Sequence, residues 1–579
     1  MILDDTWPCR GGRQTRRSSC GFALLALAAF GGCGGGAGKG GGSGGDSTGG
    51  SLGATGGSTG GAGTGGAGAE ETGSGGSNAG GTGGGSGGDG GTSPAGSGGR
   101  GNGGSGGGRS GAPGGAGGAG SGGTGAGGLA SGGSRGTAGS GGRGAGGSGA
   151  AGAAGGSGGS GSIAAPWDWA GVIGTGQSLA VGQYGTPAKA TSQPYANLKL
   201  STGNAPWPLD PNDSTFKMVP LTEPIGRPST AYPSSYPTNI AGETPHTAMA
   251  DEITSHVMAA AGRDYVNVHG EFGENGQCLT YLLKNAPQSG VNGRAYQGTL
   301  TETQAITRLA KAAGKTYGVA ALTVTHGECD AGNSSYESQL YGLLQNYDAD
   351  IAAITGQKQS ILMIVSQQNS TNNQSASTLA QWKIGVDHPT DVVCSGPKYQ
   401  YPYYTDGIHL VTDGYEQLGE KYGQVYFERV VLGNAWEPLE PVSVDRTGTR
   451  QINVHYHVPV PPMVWDTGLS TPNANSSAWK NGRGFEVRAS NNAVTITGVT
   501  ISTDTVQITV VSDLPSSGVV VGYAMTSQDG TTKSQTSGTG GSWTGTLRWG
   551  QLRDSDPFVG STTKRPQPNY GVSFQMSVP

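Results

Sequence analysis

Residues 171–179, Gly-Val-Ile-Gly-Thr-Gly-Gln-Ser-Leu, decide how the folded part of this chain is interpreted. The segment Gly171–Thr175 is apolar and glycine-rich, and it predicts a short buried strand that ends in a glycine turn. Ser178 follows that turn, where its hydroxyl group can project beyond the strand and backbone N–H groups stay free. The nucleophile elbow G-x-S-x-G is incomplete because residue 180 is Ala180, and the serine follows the first strand rather than a later one, so an α/β-hydrolase fold is not expected.

Strand-like and helix-like segments alternate after this turn. The predicted helices are residues 247–261, 304–313, 336–354 and 412–432, and the predicted strands are residues 265–268, 317–325 and 361–365. This alternation predicts an α/β domain over residues 163–435, with a parallel sheet flanked by helices and a site at the carboxyl ends of its strands. Residues 184–245 show no clear period, and they form either one wall of a substrate cleft or an irregular surface loop.

Glycine is concentrated in one segment. Residues 34–162 contain 68 of the 116 glycines, so this segment has almost no apolar surface to offset the entropy of ordering it. We therefore predict a disordered Gly/Ser-rich tether over residues 33–162. The whole chain has a net charge of −5, to which the residues before 33 contribute +2 and the tether +1, so the remainder carries −8. An acidic folded part argues against nucleic acid as a partner.

The first 32 residues have the pattern of a signal peptide. Four arginines precede the apolar run Phe22–Phe30, which is too short to span a bilayer. The small residues Gly31-Gly32 then precede Cys33, and this order resembles a bacterial lipoprotein signal in which Cys33 becomes lipidated. The pattern predicts an exported lipoprotein held by its lipid in the outer membrane or at the cell surface, with a secreted protein as the alternative.

Residues 436–579 have a different pattern. Prolines between residues 438 and 462 indicate a connector, and the segments after it are rich in β-branched residues. They predict a β-rich accessory module, expected to be a sandwich, with strands at residues 493–499, 506–511 and 519–525. Trp543 and Trp549 either belong to its core or line a sugar-binding face.

A second chemical motif lies just before the last predicted helix of the α/β domain. Asp406 and His409 are three residues apart, a spacing at which the carboxylate can fix the imidazole tautomer while the other ring nitrogen faces a serine. Serine-dependent ester hydrolysis needs a hydroxyl group, a base and donors for the oxyanion. Ser178 and His409, about 230 residues apart, supply the first two.

Together with two further blocks, these motifs resemble the SGNH (GDSL-like) hydrolase superfamily, in its sialate O-acetylesterase and carbohydrate-esterase branch. Gln177-Ser178 matches the GQSN block of that branch, although Leu179 stands in place of the Asn. Asn275–Leu279 matches the second block, and residues 326–330, His-Gly-Glu-Cys-Asp, match the third, QGE-x-D. The resemblance covers about residues 170–432 and implies a flavodoxin-like, three-layer α/β/α fold with a parallel sheet.

The resemblance implies a role for each matched residue. Ser178 would be the nucleophile, His409 the general base and then the general acid, and Asp406 the residue that orients His409. The backbone N–H groups of Ser178 and Gly276 would contribute to the oxyanion hole.

The third block departs from the family pattern. Cys329 occupies the place of the superfamily's oxyanion Asn, and His326 that of the branch's Gln, so we expect the His326 side chain to supply the missing oxyanion donor. The other matched residues are expected to support the site loops: Gln177, Gly327, Glu328 and Asp330. Cys278 and Cys329 lie in neighbouring blocks and can form a disulfide beside the site.

The sequence therefore predicts a serine esterase that removes acetyl or other short acyl groups, with O-acetylated carbohydrate as the substrate that the resemblance implies. No metal and no cofactor are expected, since no phosphate loop or dinucleotide fingerprint is visible and the pair His455-x-His457 lacks a third ligand. The alternatives are an inactive polysaccharide-binding adhesin and an esterase acting on lipid or polyester. The sequence does not fix the oligomeric state.

Overall fold

The computed structural model describes residues 163–579, except residues 203–204, 206–207, 226–241, 289–291, 370–375, 470–476, 526–532, 537–541 and 546–548. The predictions of a signal peptide at 1–32, of lipidation at Cys33 and of a tether at 33–162 fall outside these described residues. Among the helices of the described ranges, none combines the length and the apolar character needed to cross a bilayer.

A seven-stranded sheet is built by the first part of the described chain. Its strands are β1 (Trp169–Gly176), β2 (Leu198–Ser201), β3 (Lys217–Pro220), β4 (Val266–Glu271), β5 (Tyr317–Thr325), β6 (Leu362–Val365) and β7 (Val392–Cys394). They lie in the order β3-β2-β4-β1-β5-β6-β7, and only the β2–β3 pair is antiparallel. The five strands β4-β1-β5-β6-β7 have the order of a doubly wound sheet, whose carboxyl ends share one edge.

Helices cover both faces of this sheet. They are α1 (Pro245–Ala261), α2 (Leu279–Leu282), α3 (Arg294–Ala312), α4 (Tyr336–Thr355), α5 (Ala376–Asp387) and α6 (Thr412–Tyr426), which continues as a π-helix over Phe427–Val431. On one face, Leu322 and Met363 of the sheet share a core with α3, α4 and α5. On the other face, Val172 and Ile364 share a core with α1 and α6.

Local sequence explains several of these elements. All four residues of β6 are buried, as an apolar strand covered on both faces should be. At the start of α1, the Thr244 side chain accepts a hydrogen bond from the backbone N–H of His246 at 3.3 Å, and Pro245 occupies the first helical position.

The predicted elements of the α/β domain are present, with shifted ends. The strand at 317–325 has the predicted bounds, whereas α3 begins at Arg294 instead of residue 304. Strands β2 and β3 lie within residues 184–245, where no period is visible, so part of this region belongs to the sheet rather than to a loop. Helix α5 and strand β7 were not predicted.

Antiparallel strands make up the C-terminal part. Its elements are α7 (Ser477–Gly482), β8 (Glu440–Gly448), β9 (Gln451–His457), β10 (Val464–Trp465), β11 (Phe485–Ala489), β12 (Asn492–Val494), β13 (Ile496–Ser502), β14 (Thr505–Val510), β15 (Val519–Tyr523), β16 (Lys533–Thr536), β17 (Ser542–Gly545), β18 (Leu552–Arg553) and β19 (Phe574–Val578). Two four-stranded sheets, β12-β11-β15-β19 and β13-β14-β9-β8, share one hydrophobic core, as in a β-sandwich. β10–β18 and β16–β17 form two-stranded pairs.

The predicted connector at residues 438–462 is wrong, because most of it forms β8 and β9. Proline did not prevent strand formation, since β8 lies at the edge of its sheet and Pro441 stands where the register shifts. Trp549 is buried in the shared core, and the Trp543 side chain is outside the described residues.

Packing joins the two parts across the predicted boundary at residue 435. Tyr399 belongs to the core of the C-terminal sheets. The Gln367 side-chain amide donates to the Ser573 backbone carbonyl at 2.8 Å, and the backbone N–H of Thr562 donates to the Glu420 carboxylate at 2.8 Å. The C-terminal part is therefore held against the α/β part by apolar and polar contacts.

We expect Leu322→Ala to lower the free energy of unfolding by about 2–5 kcal/mol, because it leaves a cavity in a core where this side chain has no exposed surface. The matched variant Leu432→Ala, whose side chain is 40% exposed, should change stability by about 0.5 kcal/mol or less. Denaturant unfolding measures both values. An equal loss in the two variants would contradict the assignment of β5 to the core.

Candidate active site

The candidate site lies at the carboxyl edge of the seven-stranded sheet. Ser178 follows β1, which pairs in parallel with β4 and β5, so the loops after these three strands are neighbours. Gly176 has a φ of 151°, and a Cβ atom there would collide with the Thr325 carbonyl oxygen. Glycine at this position therefore allows the serine loop to lie against the end of β5.

Ser178, His409 and Asp406 form one chain of hydrogen bonds. Ser178 Oγ lies 2.7 Å from His409 Nε2, and His409 Nδ1 lies 2.6 Å from Asp406 Oδ2. The other carboxylate oxygen of Asp406 accepts hydrogen bonds from the backbone N–H groups of Ile408 at 2.9 Å and of His409 at 3.0 Å. The structure thus brings together the three residues that the two motifs singled out.

The electrostatics of this chain suit proton transfer. Burial raises the pKa of Asp406, but the hydrogen bonds from the His409 side chain and from two backbone N–H groups outweigh burial, so the pKa lies below its usual value. An ionised Asp406 accepts a hydrogen bond from a protonated His409 Nδ1, which leaves the lone pair of Nε2 free to take the proton of Ser178 Oγ. The arrangement can therefore activate the serine hydroxyl as a nucleophile.

Gly276 lies in the loop after β4, with a φ of 73°. Gln183 connects this loop to the serine loop, because its backbone N–H donates to the Ser178 carbonyl at 3.0 Å and its side-chain oxygen accepts from the Asn275 amide at 3.3 Å. Within the described ranges, no protein acceptor binds the backbone N–H of Ser178 or of Gly276. Both groups are thus available to a ligand.

The structure contradicts the expectation that the His326 side chain donates to an oxyanion. The ring is fully buried, its Nδ1 lies 3.0 Å from the Tyr336 hydroxyl group, and its Nε2 lies 3.1 Å from the backbone carbonyl of Gln277. Burial lowers the pKa of His326, so its neutral form is favoured. Both ring nitrogens are occupied by protein groups, and the residue instead holds the loop next to Gly276.

Gln177 and the remaining residues of the third block contact the site loops or the interior. The Gln177 side-chain oxygen accepts the backbone N–H of Cys329 at 3.3 Å, and Asp330 accepts the backbone N–H of Leu279 at 2.7 Å. Glu328 Oε1 lies 3.5 Å from the buried Lys398 Nζ.

Two further features of the third block fix its backbone. Gly327 has a φ of 117°, and a Cβ atom there would lie 2.6 Å from the Gln381 side-chain nitrogen, so only glycine fits without strain. Cys278 and Cys329 form a disulfide, which joins the loop after β4 to the loop after β5. The pairing that the sequence allowed is therefore present.

A buried polar cluster beneath the site was missed. His246 Nε2 lies 2.9 Å from Glu271 Oε2, and His246 Nδ1 lies 3.0 Å from His269 Nδ1. A Cβ atom at Gly174 in β1 would collide with both Glu271 and His246, so the cluster packs directly against the strand that leads to the serine. His269 and Glu271, two of the three polar residues within the buried strand β4, were the signal that could have found it.

Burial shifts the ionisation of this cluster. It raises the pKa of Glu271 and lowers the pKa of His269. The Glu302 carboxylate lies against Gly270 of β4, where a Cβ atom would collide with it. Burial and the neighbouring Glu271 together raise the pKa of Glu302 to about 8. Burial thus disfavours the charged forms of Glu271, His269 and Glu302.

Two tyrosines beside His409 were also missed. The ring of Tyr184 stacks on that of Tyr404, with centroids 4.2 Å apart, and meets the His409 ring edge-on at 5.2 Å. Tyr184 and Tyr404 are far apart in sequence, and no local pattern connects them.

One group of potential metal ligands lies in the loops of the site. In the part of the chain that the structure describes, the one close group of three potential ligands is Cys278, Cys329 and Asp330, whose two sulfur atoms are joined in the disulfide. The His455 ring lies 2.6 Å from Asp445 Oδ2 and 2.9 Å from the Thr505 hydroxyl group.

The sequence matches no family model and no curated protein. Among solved structures, it is similar to a carbohydrate acetylesterase from Xanthomonas citri, with a TM-score of 0.43 and 13% identity over 70% of this chain and 80% of that chain. A protein from Arabidopsis thaliana has a TM-score of 0.34 and 15% identity over 45% and 98% of the two chains. A carbohydrate acetylesterase from Sinorhizobium meliloti has a TM-score of 0.24 and 12% identity over 44% and 97%.

We expect the double variant Cys278→Ser/Cys329→Ser to have a free energy of unfolding about 4 kcal/mol lower than that of the native chain. The disulfide closes a loop across a sequence separation of 51, and this loop restricts the unfolded chain. Denaturant unfolding with and without a reductant measures the effect. Reductant should destabilise the native chain and leave the double variant unchanged. A native chain that is insensitive to reductant in denaturant would contradict this role.

Proposed function

We propose that this protein is a serine esterase of the SGNH type that hydrolyses acetyl or other short-chain acyl esters on O-acetylated carbohydrate. The observation that carries the proposal is the hydrogen-bond chain from Ser178 through His409 to Asp406. A serine that is hydrogen-bonded to an imidazole, itself oriented by a carboxylate, is the arrangement that acyl transfer requires.

The reaction proceeds in two steps. As Ser178 Oγ attacks the ester carbonyl carbon, its proton passes to His409 Nε2, and the backbone N–H groups of Ser178 and Gly276 stabilise the oxyanion. The C–O bond to the alcohol then breaks, and His409 gives its proton to the departing oxygen. Water next loses a proton to His409 Nε2 and attacks the carbonyl carbon of acetyl-Ser178. The bond between that carbon and Ser178 Oγ then breaks, His409 returns the proton to Oγ, and acetic acid leaves and ionises to acetate.

The substrate is inferred from sequence rather than from the geometry. The blocks around Gln177-Ser178 and residues 326–330 resemble the carbohydrate-esterase branch, and this resemblance supports an O-acetylated carbohydrate. An inactive polysaccharide-binding protein is disfavoured, because binding alone does not require Ser178, His409 and Asp406 to be hydrogen-bonded in series.

We expect Ser178→Ala and Asp406→Asn in the full chain each to lower kcat/KM for a chromogenic acetate by about 10⁴-fold, since one removes the nucleophile and the other favours the wrong tautomer of His409. The matched control Asp387→Asn, in α5 and paired with Lys383, should stay within about twofold of the native rate.

Failure of Ser178→Ala to lower turnover would contradict the proposed mechanism. The same assay with a longer acyl chain distinguishes the substrate classes. A faster rate on the octanoyl ester than on the acetyl ester would favour a lipid or polyester substrate instead.

A further inference from the structure

Exposed aromatic side chains lie in or next to the loops that carry the candidate site. Among the large hydrophobic side chains that stay exposed in the described residues, three are aromatic, and they are Tyr184, Tyr281 and Tyr404, at 39%, 43% and 38% exposure. Tyr184 follows the serine, Tyr281 lies in α2 just after Gly276, and Tyr404 precedes His409. Apolar surface that is clustered in this way marks a binding region.

Tyr184 and Tyr404 form a platform, which we define as these two stacked rings. Their planes differ by 5°, and the Tyr184 ring meets the His409 ring at an interplanar angle of 66°. The backbone N–H of Tyr404 donates to the His409 carbonyl at 2.7 Å, so the platform and the imidazole are held in one local structure.

The backbone fixes Tyr184 before any ligand binds. Its φ is 64°, a conformation that few residues other than glycine adopt and that persists only when the surroundings determine it. The neighbouring Gln183 carbonyl accepts a hydrogen bond from the Tyr415 hydroxyl group at 2.7 Å, and the Gly185 N–H donates to the Gly182 carbonyl at 2.9 Å. A pre-positioned ring loses little conformational entropy on binding.

The position of His409 in the proposed reaction indicates which part of the substrate lies on the platform. His409 gives its proton to the oxygen of the departing alcohol, so the carrier of the ester must lie next to this imidazole. The acyl carbonyl oxygen points instead toward the backbone N–H groups of Ser178 and Gly276. The Tyr184 ring, which borders His409, is therefore positioned to contact the carrier rather than the acyl group.

We propose that the Tyr184–Tyr404 platform is the subsite for the pyranose ring that carries the scissile ester, an inference that rests on the proposed function. The apolar C–H face of a pyranose stacks on flat aromatic rings, while its hydroxyl groups need polar partners. Gln183 directly precedes Tyr184, and its side-chain amide, whose oxygen accepts a hydrogen bond from the Asn275 amide at 3.3 Å, supplies such a partner. The platform is thus a specificity determinant for cyclic carriers.

The test compares two esters on the full chain: a mono-O-acetylated methyl pyranoside and methyl acetate, whose methanol leaving group has no ring. Tyr184→Asn removes the ring, and asparagine tolerates the positive φ. It should lower kcat/KM for the pyranoside about tenfold more than for methyl acetate, and Tyr184→Phe should restore the native ratio because the ring face makes the contact. Tyr404→Ala should shift the ratio in the same direction.

The matched control is Tyr341→Ala. Tyr341 stacks on His388, with ring centroids 3.6 Å apart, and its hydroxyl group donates a hydrogen bond to Asp391. Asp391 directly precedes β7 and therefore lies at the amino edge of the sheet, opposite the site. Its loss should leave the ratio between the two esters unchanged.

A second readout separates the two levels of inference. Binding of the unacetylated methyl pyranoside, measured by calorimetry, should weaken about tenfold in Tyr184→Asn. If Ser178-dependent hydrolysis persists but neither the ester ratio nor this binding changes in Tyr184→Asn, the subsite is overturned and the esterase stands. If binding depends on Tyr184 but no ester is hydrolysed, the subsite stands and the proposed function falls.

Discussion

The hydrogen bond between Ser178 Oγ and His409 Nε2 joins residues 231 positions apart, and the rest of the site depends on it. The loop of Ser178 is fixed by the parallel pairing of β1 with β4 and β5, whereas His409 is fixed by the loop that enters α6. Helix α6 packs with α1 in one of the two cores that flank the sheet. The distance between the hydroxyl group and the imidazole is therefore set by packing on the whole α/β part, and not by local sequence.

Cross-links between neighbouring loops then restrict the site. The Cys278–Cys329 disulfide, the Gln177–Cys329 hydrogen bond and the contact from His326 to the Gln277 carbonyl all act at the edge formed by the loops after β1, β4 and β5. Donors that are held rigidly before the reaction stabilise a developing charge without reorganisation, which is the main source of catalysis in oxyanion holes. The third block thus contributes rigidity through its contacts.

The sequence alone predicted features that local patterns encode, such as periodic strands and helices and the polar residues that follow a strand. The apolar segment at 317–325 and the Gly turn before Ser178 are local patterns, and the Asp406–His409 spacing is short enough to be visible. The role of His326 was misjudged because its burial and its contact with Tyr336 depend on how α4 packs against β5, which no spacing encodes. The Tyr184–Tyr404 contact was invisible for the same reason.

In the C-terminal strands, a local pattern was visible but led to the wrong prediction. Prolines between residues 438 and 462 favour a connector by local propensity, but tertiary pairing with β14 and an edge position overrode that preference in β8 and β9. The three residues of β7 are too few to show a period. Helix α5 was not recognised because its buried face includes the polar residues Ser377, Thr378 and Gln381.

The most direct test of the central claim is covalent labelling of the full chain with a fluorophosphonate, followed by peptide mapping by mass spectrometry. An activated serine attacks phosphorus and expels fluoride, so we expect one adduct, on Ser178, that forms at least 10³-fold more slowly in His409→Ala. Labelling of Ser178 at the same rate in His409→Ala, or no adduct on Ser178 in the native chain, would contradict the account.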